Sequence, residues 1–85
     1  MRFAIVGGTA YDWSYTKLNL KSNYHFYLKG YNQNMVLGMV TKNNDYWVVA
    51  PYHETNVGVV EGFSSRYHAC RYILQVWKIE DGYKN

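Results

Sequence analysis

One window of this 85-residue chain has its apolar residues at helical spacing, and it constrains the fold more than any other feature. Within residues 62–78 the apolar side chains recur at i, i+3, i+4, i+7 and i+8, which is one stripe of a helix with 3.6 residues per turn. The stripe consists of Ala69, Tyr72, Ile73, Val76 and Trp77. Ser64 or Ser65 can supply the N-cap oxygen, since the first N–H groups of a helix have no partner inside it. The pattern predicts one C-terminal helix at about 64–78, with Gly82 as the latest stop.

The remainder of the chain alternates apolar and polar residues in short runs, which is typical of half-buried β-strands. Turn residues separate the runs at Gly7-Gly8, Ser22-Asn23, Asn32–Asn34 and Asn43-Asn44. We predict strands at 1–6, 15–21, 24–31, 35–42, 45–52 and 57–63, with an irregular stretch at 11–13. Pro51 has no N–H to donate, so the strand that contains it should end there or lie at an edge. The tail, 80–85, is polar and is expected to be frayed.

These elements predict an α+β fold, in which five to six antiparallel strands form one curved sheet packed by the C-terminal helix. The length predicts a single domain, 1–85. The predicted core consists of Phe3, Ile5, Leu18, Leu20, Phe26, Leu28, Ala69, Ile73 and Val76. It is completed by Trp47 and Val49 or by Tyr46 and Val48, because alternation alone does not choose between the two faces of a strand.

The composition excludes several classes of protein. Aromatic residues make up 19% of the chain, which supplies large side chains for the core of so small a domain. The lone Cys70 excludes an internal disulfide framework and a four-cysteine zinc site, and its place beside the helical stripe predicts a buried thiol. No apolar run is long enough for a signal peptide or a membrane span, so we expect a cytoplasmic protein.

The chain lacks the residue spacings that catalysis requires. His68 and Cys70 are two positions apart, whereas two metal ligands on one helical face need a spacing of three or four. No helical pattern follows Gly7-Gly8, which argues against a phosphate-binding loop. We therefore predict no enzymatic activity, no catalytic residues, no metal ligands and no cofactor. A small ribonuclease-type toxin using His25 or His53 is the alternative to this prediction.

Basic and aromatic residues are interleaved in the first half of the chain. The net charge is +3, and residues 1–44 hold five of the nine basic residues but only one of the six acidic ones, Asp12. Lysines can contact phosphates or surround a protein interface, and tyrosines can stack on bases or anchor such an interface. The predicted partner-binding residues are Tyr15, Lys17, Lys21, Tyr27, Lys29, Arg71 and Lys78.

Two classes of partner compete for this surface. A net charge of +3 leaves little to neutralise several phosphates, so a protein partner comes first and direct binding of DNA or RNA is the alternative. A purely structural reading is also open, because surface lysines keep a protein soluble and protect sheet edges from pairing.

Residues 45–77 resemble a known family of DNA-binding domains. Asp45–Val49, Val57–Val60 and Gly62–Arg66 are similar to the three strands and helix start of AP2-like and integrase arm-type domains. The matching positions are Trp47, Phe63, Arg66 and Ala69. The middle strands lack the arginine-rich face that enters a DNA groove in that family, so the resemblance implies the strand–helix arrangement more than DNA binding.

The choice of amino acids carries a second resemblance. The high Asn and Tyr content, and the preference for Lys over Arg before residue 66, are typical of coding from an AT-rich genome. In this respect the chain resembles small accessory proteins of bacteriophages and mobile elements, including inhibitors of host defence systems. The resemblance implies an inhibitor that binds a host or defence protein complex, with a nucleic-acid-handling machine as one candidate, and that has no enzymatic activity of its own.

Overall fold

The computed structural model describes residues 2–18, 22–54 and 58–83. Seven strands and one α-helix follow one another in this part of the chain. The elements are β1 (Arg2–Val6), β2 (Thr9–Lys17), β3 (Asn23–Leu28), β4 (Val36–Asn43), β5 (Tyr46–Pro51), β6 (Val60–Phe63), α1 (Arg66–Val76) and β7 (Glu80–Tyr83). A 3-10 turn, Tyr31–Gln33, connects β3 to β4.

All neighbouring strands pair antiparallel, in the order β6-β5-β4-β3-β2-β1-β7. The helix packs against β4, β5 and β6 and also reaches β7 at the other edge of the sheet. The sheet is therefore curled around α1, and the predicted α+β class with a C-terminal helix is confirmed. We call the side of the sheet that packs on α1 the inner face and the opposite side the outer face.

The β1–β2 and β4–β5 turns form where the sequence predicts them, to within one residue. The predicted turn at Ser22-Asn23 borders residues outside the described part of the chain, and Asn23 belongs to β3. Gly7 and Gly8 have φ of 57° and 83°, so the β1–β2 hairpin uses a two-residue turn that glycine adopts without steric cost. The β4–β5 turn lies at Asn44 and Asp45, one residue later than predicted, and Asn44 has φ of 56°. Pro51 ends β5, as predicted.

The helix begins and ends inside its predicted bounds. The hydroxyl of Ser65 caps it by accepting a hydrogen bond of 3.2 Å from the backbone N–H of His68. At the other end Lys78 has φ of 58°, and its N–H donates to the Gln75 carbonyl while the Ile79 N–H donates to Leu74. This pair of bonds is a Schellman motif, which stops the helix before Gly82. Lys78, which the predicted helix at about 64–78 included, therefore lies beyond the end of the helix.

The core lies between the inner face and the helix. Fully or almost fully buried apolar residues are Ala4, Trp13, Phe26, Leu28, Leu37, Val40, Val49, Ala69, Cys70, Ile73 and Leu74. Phe26, Leu28, Ala69 and Ile73 confirm the predicted core, and Val76 is half-buried. Of the two alternatives for β5, the pair Trp47 and Val49 packs on the core.

The prediction for β2 assigned the wrong face of the strand to the core. Leu18 is 40% exposed, not buried, and Leu20 lies outside the described residues. The strand begins at Thr9, so the stretch 11–13 that we predicted as irregular belongs to it. Alternation then places Tyr11, Trp13 and Tyr15 on the inner face, where three rings bury more surface than leucines would.

The prediction for β1 is wrong in the same way. Ala4 is fully buried, whereas Phe3 and Ile5 are half-buried on the outer face. The ring of Phe3 covers Gly82 so closely that a Cβ at this glycine would lie 2.5 Å from Phe3 Cζ. The β1–β7 pair therefore requires a residue without a Cβ opposite the Phe3 ring.

The tail contains a strand that the sequence analysis missed. The β7 strand pairs with β1 from Ile5 opposite Glu80 to Arg2 opposite Tyr83. The sheet therefore has seven strands and not five to six, and residues 80–83 are not frayed.

Candidate binding surface

The structure places two predicted partner-binding tyrosines on opposite faces of the sheet. In the β2–β3 register Tyr15 is opposite Phe26, and Ser14 is opposite Tyr27. Because Phe26 is fully buried, Tyr15 lies on the inner face and Tyr27 on the outer face. Tyr15 packs on the core, whereas Tyr27 is half-buried on the outer face.

The predicted lysines lie at different ends of the strands. Lys17 is exposed at the end of β2, where it pairs with Tyr24, and Lys21 lies outside the described residues. Lys29 is exposed just after β3, at the opposite end of that strand, and its backbone N–H donates 2.9 Å to the carbonyl of Asp12. The two described lysines therefore do not form one basic patch.

The two remaining predicted residues lie on the helix side of the molecule. Arg71 is exposed on α1, and its Nε lies 3.8 Å from a carboxylate oxygen of Asp81 in β7. Lys78 is exposed in the turn that follows the helix. The structure thus divides the predicted surface between the outer face, the ends of the strands and the helix.

The outer face of β3, β4 and β5 carries no charged side chain. The register joins His25 to Met39 and Met39 to Ala50 in one row, and Thr41 to Val48 in the next. The side chains that alternation and register place there are Asn23, His25, Tyr27, Val36, Met39, Thr41, Asn43, Tyr46, Val48, Ala50 and Tyr52. The helix packs on the other face, so no α-helix of the described residues covers this surface.

Hydrogen bonds hold two rings of the outer face in place. Tyr52 is 48% exposed, and its hydroxyl lies 3.3 Å from Nε2 of His25, with the two rings edge to face at 5.7 Å. The hydroxyl of Tyr46 accepts a 3.1 Å bond from the side-chain amide of Asn43. These rings are therefore ordered before any partner arrives, which lowers the entropic cost of binding.

Charged residues lie at the ends and sides of the sheet, and not on the outer face of β3, β4 and β5. Lys17, Lys29 and Lys42 are exposed at the ends of β2, β3 and β4. Asp12 on β2 and Glu61 on β6 lie at the sides of this face, where Glu61 is opposite Val48. Lys17 is opposite Tyr24 and Lys42 is opposite Trp47, and both of these rings pack on the core, so alternation places the two lysines on the inner side. Lys29 lines a cleft described below. We call the neutral side chains on the outer face of β3, β4 and β5 the outer surface.

A second constellation, which sequence reasoning missed, lies at the N-terminal end of the helix. The guanidinium carbon of Arg66 lies 4.2 Å from the ring centroid of Tyr15, and that of Arg2 lies 3.7 Å from the ring centroid of Tyr67. Tyr67 stacks on Trp13 with centroids 5.8 Å apart and an angle of 18°. The interleaving of basic and aromatic residues was visible in the sequence, but Arg2 and Arg66 are 64 positions apart and nothing local connects them.

These side chains border a cleft of about 490 Å³. Its lining residues are Arg2, Asp12, Trp13, Ser14, Tyr15, Lys29 and Arg66. We call it the Arg66 cleft. It holds three cations and one carboxylate, so it is electropositive.

Beside the cleft Tyr15 and Cys70 form a buried pair of titratable groups. Burial raises the pKa of the Cys70 thiol from 9.0 to about 12, although a hydrogen bond from Tyr15 and the charge of Arg66 oppose the shift. Burial also raises the pKa of the Tyr15 hydroxyl above its ordinary value of 10.0, and the neighbouring Cys70 adds to this shift. Both groups are therefore neutral at pH 7, and the thiol is a poor nucleophile there.

Comparisons with other proteins give no further indication of function. Within residues 2–18, 22–54 and 58–83, no helix is long and apolar enough to cross a membrane. No group of three or more His, Cys, Asp or Glu side chains in these ranges could hold a metal ion. Searches against protein-family models, curated proteins and solved structures found no match for this chain.

Proposed function

We propose that this chain is a non-enzymatic binding protein and that it contacts another protein through its outer surface. The observation that carries the proposal is the neutral, aromatic outer face of β3, β4 and β5. An antiparallel sheet with one face on a core usually turns polar and charged residues to water on the other. Here that face carries Tyr27, Tyr46, Tyr52 and Met39 instead.

The residue types of this face are those of protein interfaces. Interface centres are enriched in tyrosine and methionine and depleted of lysine and carboxylates, and a charged rim surrounds them. Tyrosine anchors bury large area at a small cost in side-chain entropy. The outer surface has the residue types of an interface centre, and hydrogen bonds hold Tyr46 and Tyr52 at the two ends of β5.

The neutral face indicates the chemistry of the partner. A face of tyrosines and methionine without charged side chains is complementary to an apolar patch on another protein. The more specific proposal, an inhibitor from a phage or mobile element that acts on a host or defence complex, is supported by amino-acid choice alone.

Direct binding of DNA or RNA is the alternative function. It would use the predicted lysines or the exposed Arg71 and Lys78, and the resemblance of residues 45–77 to AP2-like domains stays a prediction. Two observations weigh against it. Arg66 lies over the ring of Tyr15 and Arg2 over that of Tyr67, which leaves these rings poorly placed to stack on bases. The exposed lysines are also spread over both ends of the sheet.

A titration separates the two functions. Labelled DNA and RNA would be titrated at about 50 and 200 mM salt, the range over which phosphate contacts lose most of their affinity. We expect no tight binding to either nucleic acid. A steep salt dependence that Lys17→Ala with Lys29→Ala abolishes would overturn the proposal, and so would RNA cleavage that His25→Ala or His53→Ala removes.

Capture from a host-cell lysate then tests the surface itself. The wild-type chain would be compared with Tyr27→Ser and, as a matched control on the helix, Gln75→Ser; both residues are polar, and neither is in the core. We expect Tyr27→Ser to lose a protein that Gln75→Ser still captures at the wild-type level. Equal capture by both variants would contradict the proposal, as would concentration-dependent dimerisation through the same face in light scattering.

A further inference from the structure

One side of β2 is open although this strand lies inside the sheet. The β1–β2 register ends with Phe3 opposite Asp12, and from Trp13 to Lys17 the strand pairs with β3. On the other side of residues 13–17 no described strand pairs with β2. We call this side of residues 13–17 the open edge. It continues the line of β1 and is about 16 Å long at the usual rise of a strand.

The backbone of the open edge has hydrogen-bonding groups that the sheet does not use. The N–H of Leu18, just after β2, donates 2.9 Å to the carbonyl of Asn23 in β3. Leu18 therefore directs its backbone groups to β3, and every second residue before it does the same. The N–H and C=O groups of Tyr15 and Lys17 point the other way, to the side without a described strand. An added strand would satisfy these four groups.

The Arg66 cleft shows that the open edge is accessible. The cleft contacts four consecutive residues of β2, Asp12–Tyr15. Successive side chains of a strand point to opposite faces, so a cleft that contacts all four runs along an edge and not over one face. The strand β3 occupies the other edge of β2, and the cleft therefore lies along the open edge.

Two cations lie on the inner side of the open edge. The register places Tyr15 and Lys17 on this side, opposite Phe26 and Tyr24, and the guanidinium carbon of Arg66 lies 4.2 Å from the Tyr15 ring centroid. Neither Lys17 nor Arg66 forms an ion pair with a carboxylate of the described residues. Directly opposite residues of two strands share a face, so an added strand would place two side chains beside these cations. Acidic side chains are complementary at both positions.

The outer side of the open edge favours an apolar side chain. Leu18 is 40% exposed, and alternation places it on the outer side together with Thr16. A residue opposite Thr16 would be a diagonal neighbour of Leu18, within reach of a large side chain. An apolar residue there would remove part of the exposed Leu18 surface from water.

We infer that the open edge binds an extended segment of another protein by strand addition, with acidic residues opposite Tyr15 and Lys17 and an apolar residue opposite Thr16. Main-chain hydrogen bonds supply affinity in this mode of recognition, and the alternating side chains supply specificity. The open edge is separate from the outer surface on β3, β4 and β5. The inference therefore stands or falls independently of the proposed function.

Amide hydrogen exchange of the free chain tests the open edge first. We expect the amides of Tyr15 and Lys17 to exchange at least about tenfold faster than those of Ser14 and Thr16, which bond to β3. Equal protection of all four amides would show that the edge is already occupied and would overturn the inference. Protection of Tyr15 and Lys17 that rises with protein concentration would identify a second copy as the occupant and overturn it as well.

A peptide titration followed by nuclear magnetic resonance tests the occupant. The probe is a seven-residue peptide with blocked ends, in which glutamate alternates with valine. We expect the amide signals of Tyr15 and Lys17 to shift, to saturate and to become protected from exchange. Two control peptides should bind at least about tenfold more weakly, one with lysine in place of glutamate and one N-methylated at the glutamates, which removes the backbone donors.

Variants separate the backbone contribution from the charges. Lys17→Pro removes an N–H that no described strand uses, so the fold should tolerate it, and it should weaken binding more than Lys17→Ala does. Arg66→Gln should weaken binding of the glutamate peptide several-fold. Lys42→Gln is the matched control, because β4 lies three strand spacings, about 14 Å, from the added strand. Should Lys17→Pro fail to fold, the N-methylated peptide makes the same test on the wild-type chain.

The outcomes divide as follows. Saturable binding of the glutamate peptide that N-methylation abolishes supports strand addition at the open edge. Binding that N-methylation leaves unchanged would reduce the contact to charge alone and overturn the inference. Linear shifts without saturation, equal binding of the lysine peptide, or equal effects of Arg66→Gln and Lys42→Gln would also overturn it.

Discussion

The two faces of the sheet use the same aromatic residues for opposite purposes. On the inner face Tyr15 lies under Arg66 and contacts Tyr24 and Phe26, so its ring stabilises the fold. On the outer face Tyr52 is 48% exposed, and its only recorded ring contact within the described residues is with His25. A chain of this size gains most of its stability from a few large side chains. The rings on the outer face do not contribute to the core, and for this reason we assign them to binding.

The largest expected effect comes from two neighbouring residues of β3. Phe26 is fully buried and Tyr27 is on the outer face. We expect Phe26→Ala to lower the free energy of unfolding by about 3–5 kcal/mol, and Tyr27→Ala by less than about 1 kcal/mol. Urea denaturation measures both values. Equal losses would show that the two faces do not differ as described.

The next prediction concerns the contact between the sheet and the helix. A Cβ at Gly38 would lie 2.9 Å from Ile73 Cδ1 and 3.0 Å from the carbonyl oxygen of Ala50. We expect Gly38→Ala to destabilise the fold by about 1–3 kcal/mol, because the Ile73 side chain and the β5 backbone at Ala50 must both give way. Ala50→Ser on the outer face is the matched control, with an expected change within about 0.5 kcal/mol. An unchanged urea midpoint for Gly38→Ala would mean that the helix packs less closely than described.

The buried pair on the inner face predicts a fall in stability at alkaline pH. The Cys70 thiol loses its proton near pH 9 in the unfolded chain but only near pH 12 in the folded one. Deprotonation thus stabilises the unfolded state, and at about pH 10 the loss from Cys70 should be roughly 1.4 kcal/mol. The raised pKa of Tyr15 acts in the same direction.

Urea midpoints at neutral and alkaline pH measure this effect. Cys70→Ala should reduce the loss between about pH 8 and pH 10. The outer-face variant Met39→Leu, which changes no titratable group, should keep it. If the Cys70→Ala chain loses as much stability at alkaline pH as the wild type, the buried pair is not the cause of that loss.

The smallest effect is expected at the ion pair between α1 and β7. Arg71 and Asp81 are 3.8 Å apart with side chains 48% and 26% exposed. Solvent screens such a pair, so Arg71→Ala should cost less than about 1 kcal/mol. The cost should shrink further in concentrated salt. A loss comparable to that of Gly38→Ala would indicate that β7 depends on this contact more than on its pairing with β1.

The helix and most turns could be predicted because their causes are local. The stripe containing Ala69 and Ile73, the cap at Ser65 and the glycines at 7 and 8 each act within a few residues. The β7 strand could not be predicted in this way, because Glu80-Asp81-Gly82 has no alternating pattern and owes its strand to pairing with β1. The contact between Phe3 and Gly82, which belongs to this pairing, joins residues at opposite ends of the chain and follows from no local pattern.

The candidate sites were harder to predict than the fold. Alternation separates Tyr15 from Tyr27 once their pairing is known, but it does not show which one meets the helix. The Arg66 cleft joins residues from β1, β2 and α1, and no local pattern carries that proximity. Interleaved charge and aromatic residues therefore indicated that binding residues exist, without locating them.

Photo-crosslinking tests the central claim, that the outer face is the docking surface, most directly. A benzoylphenylalanine would replace Tyr27 or Tyr52 on the outer face, or Gln75 on the helix, and each chain would be irradiated in a cell lysate. We expect crosslinks from positions 27 and 52 to one and the same protein, at sites within an apolar patch, and none from position 75. Crosslinks from position 75 to that protein, to a second copy of this chain, or to nucleic acid would contradict the account.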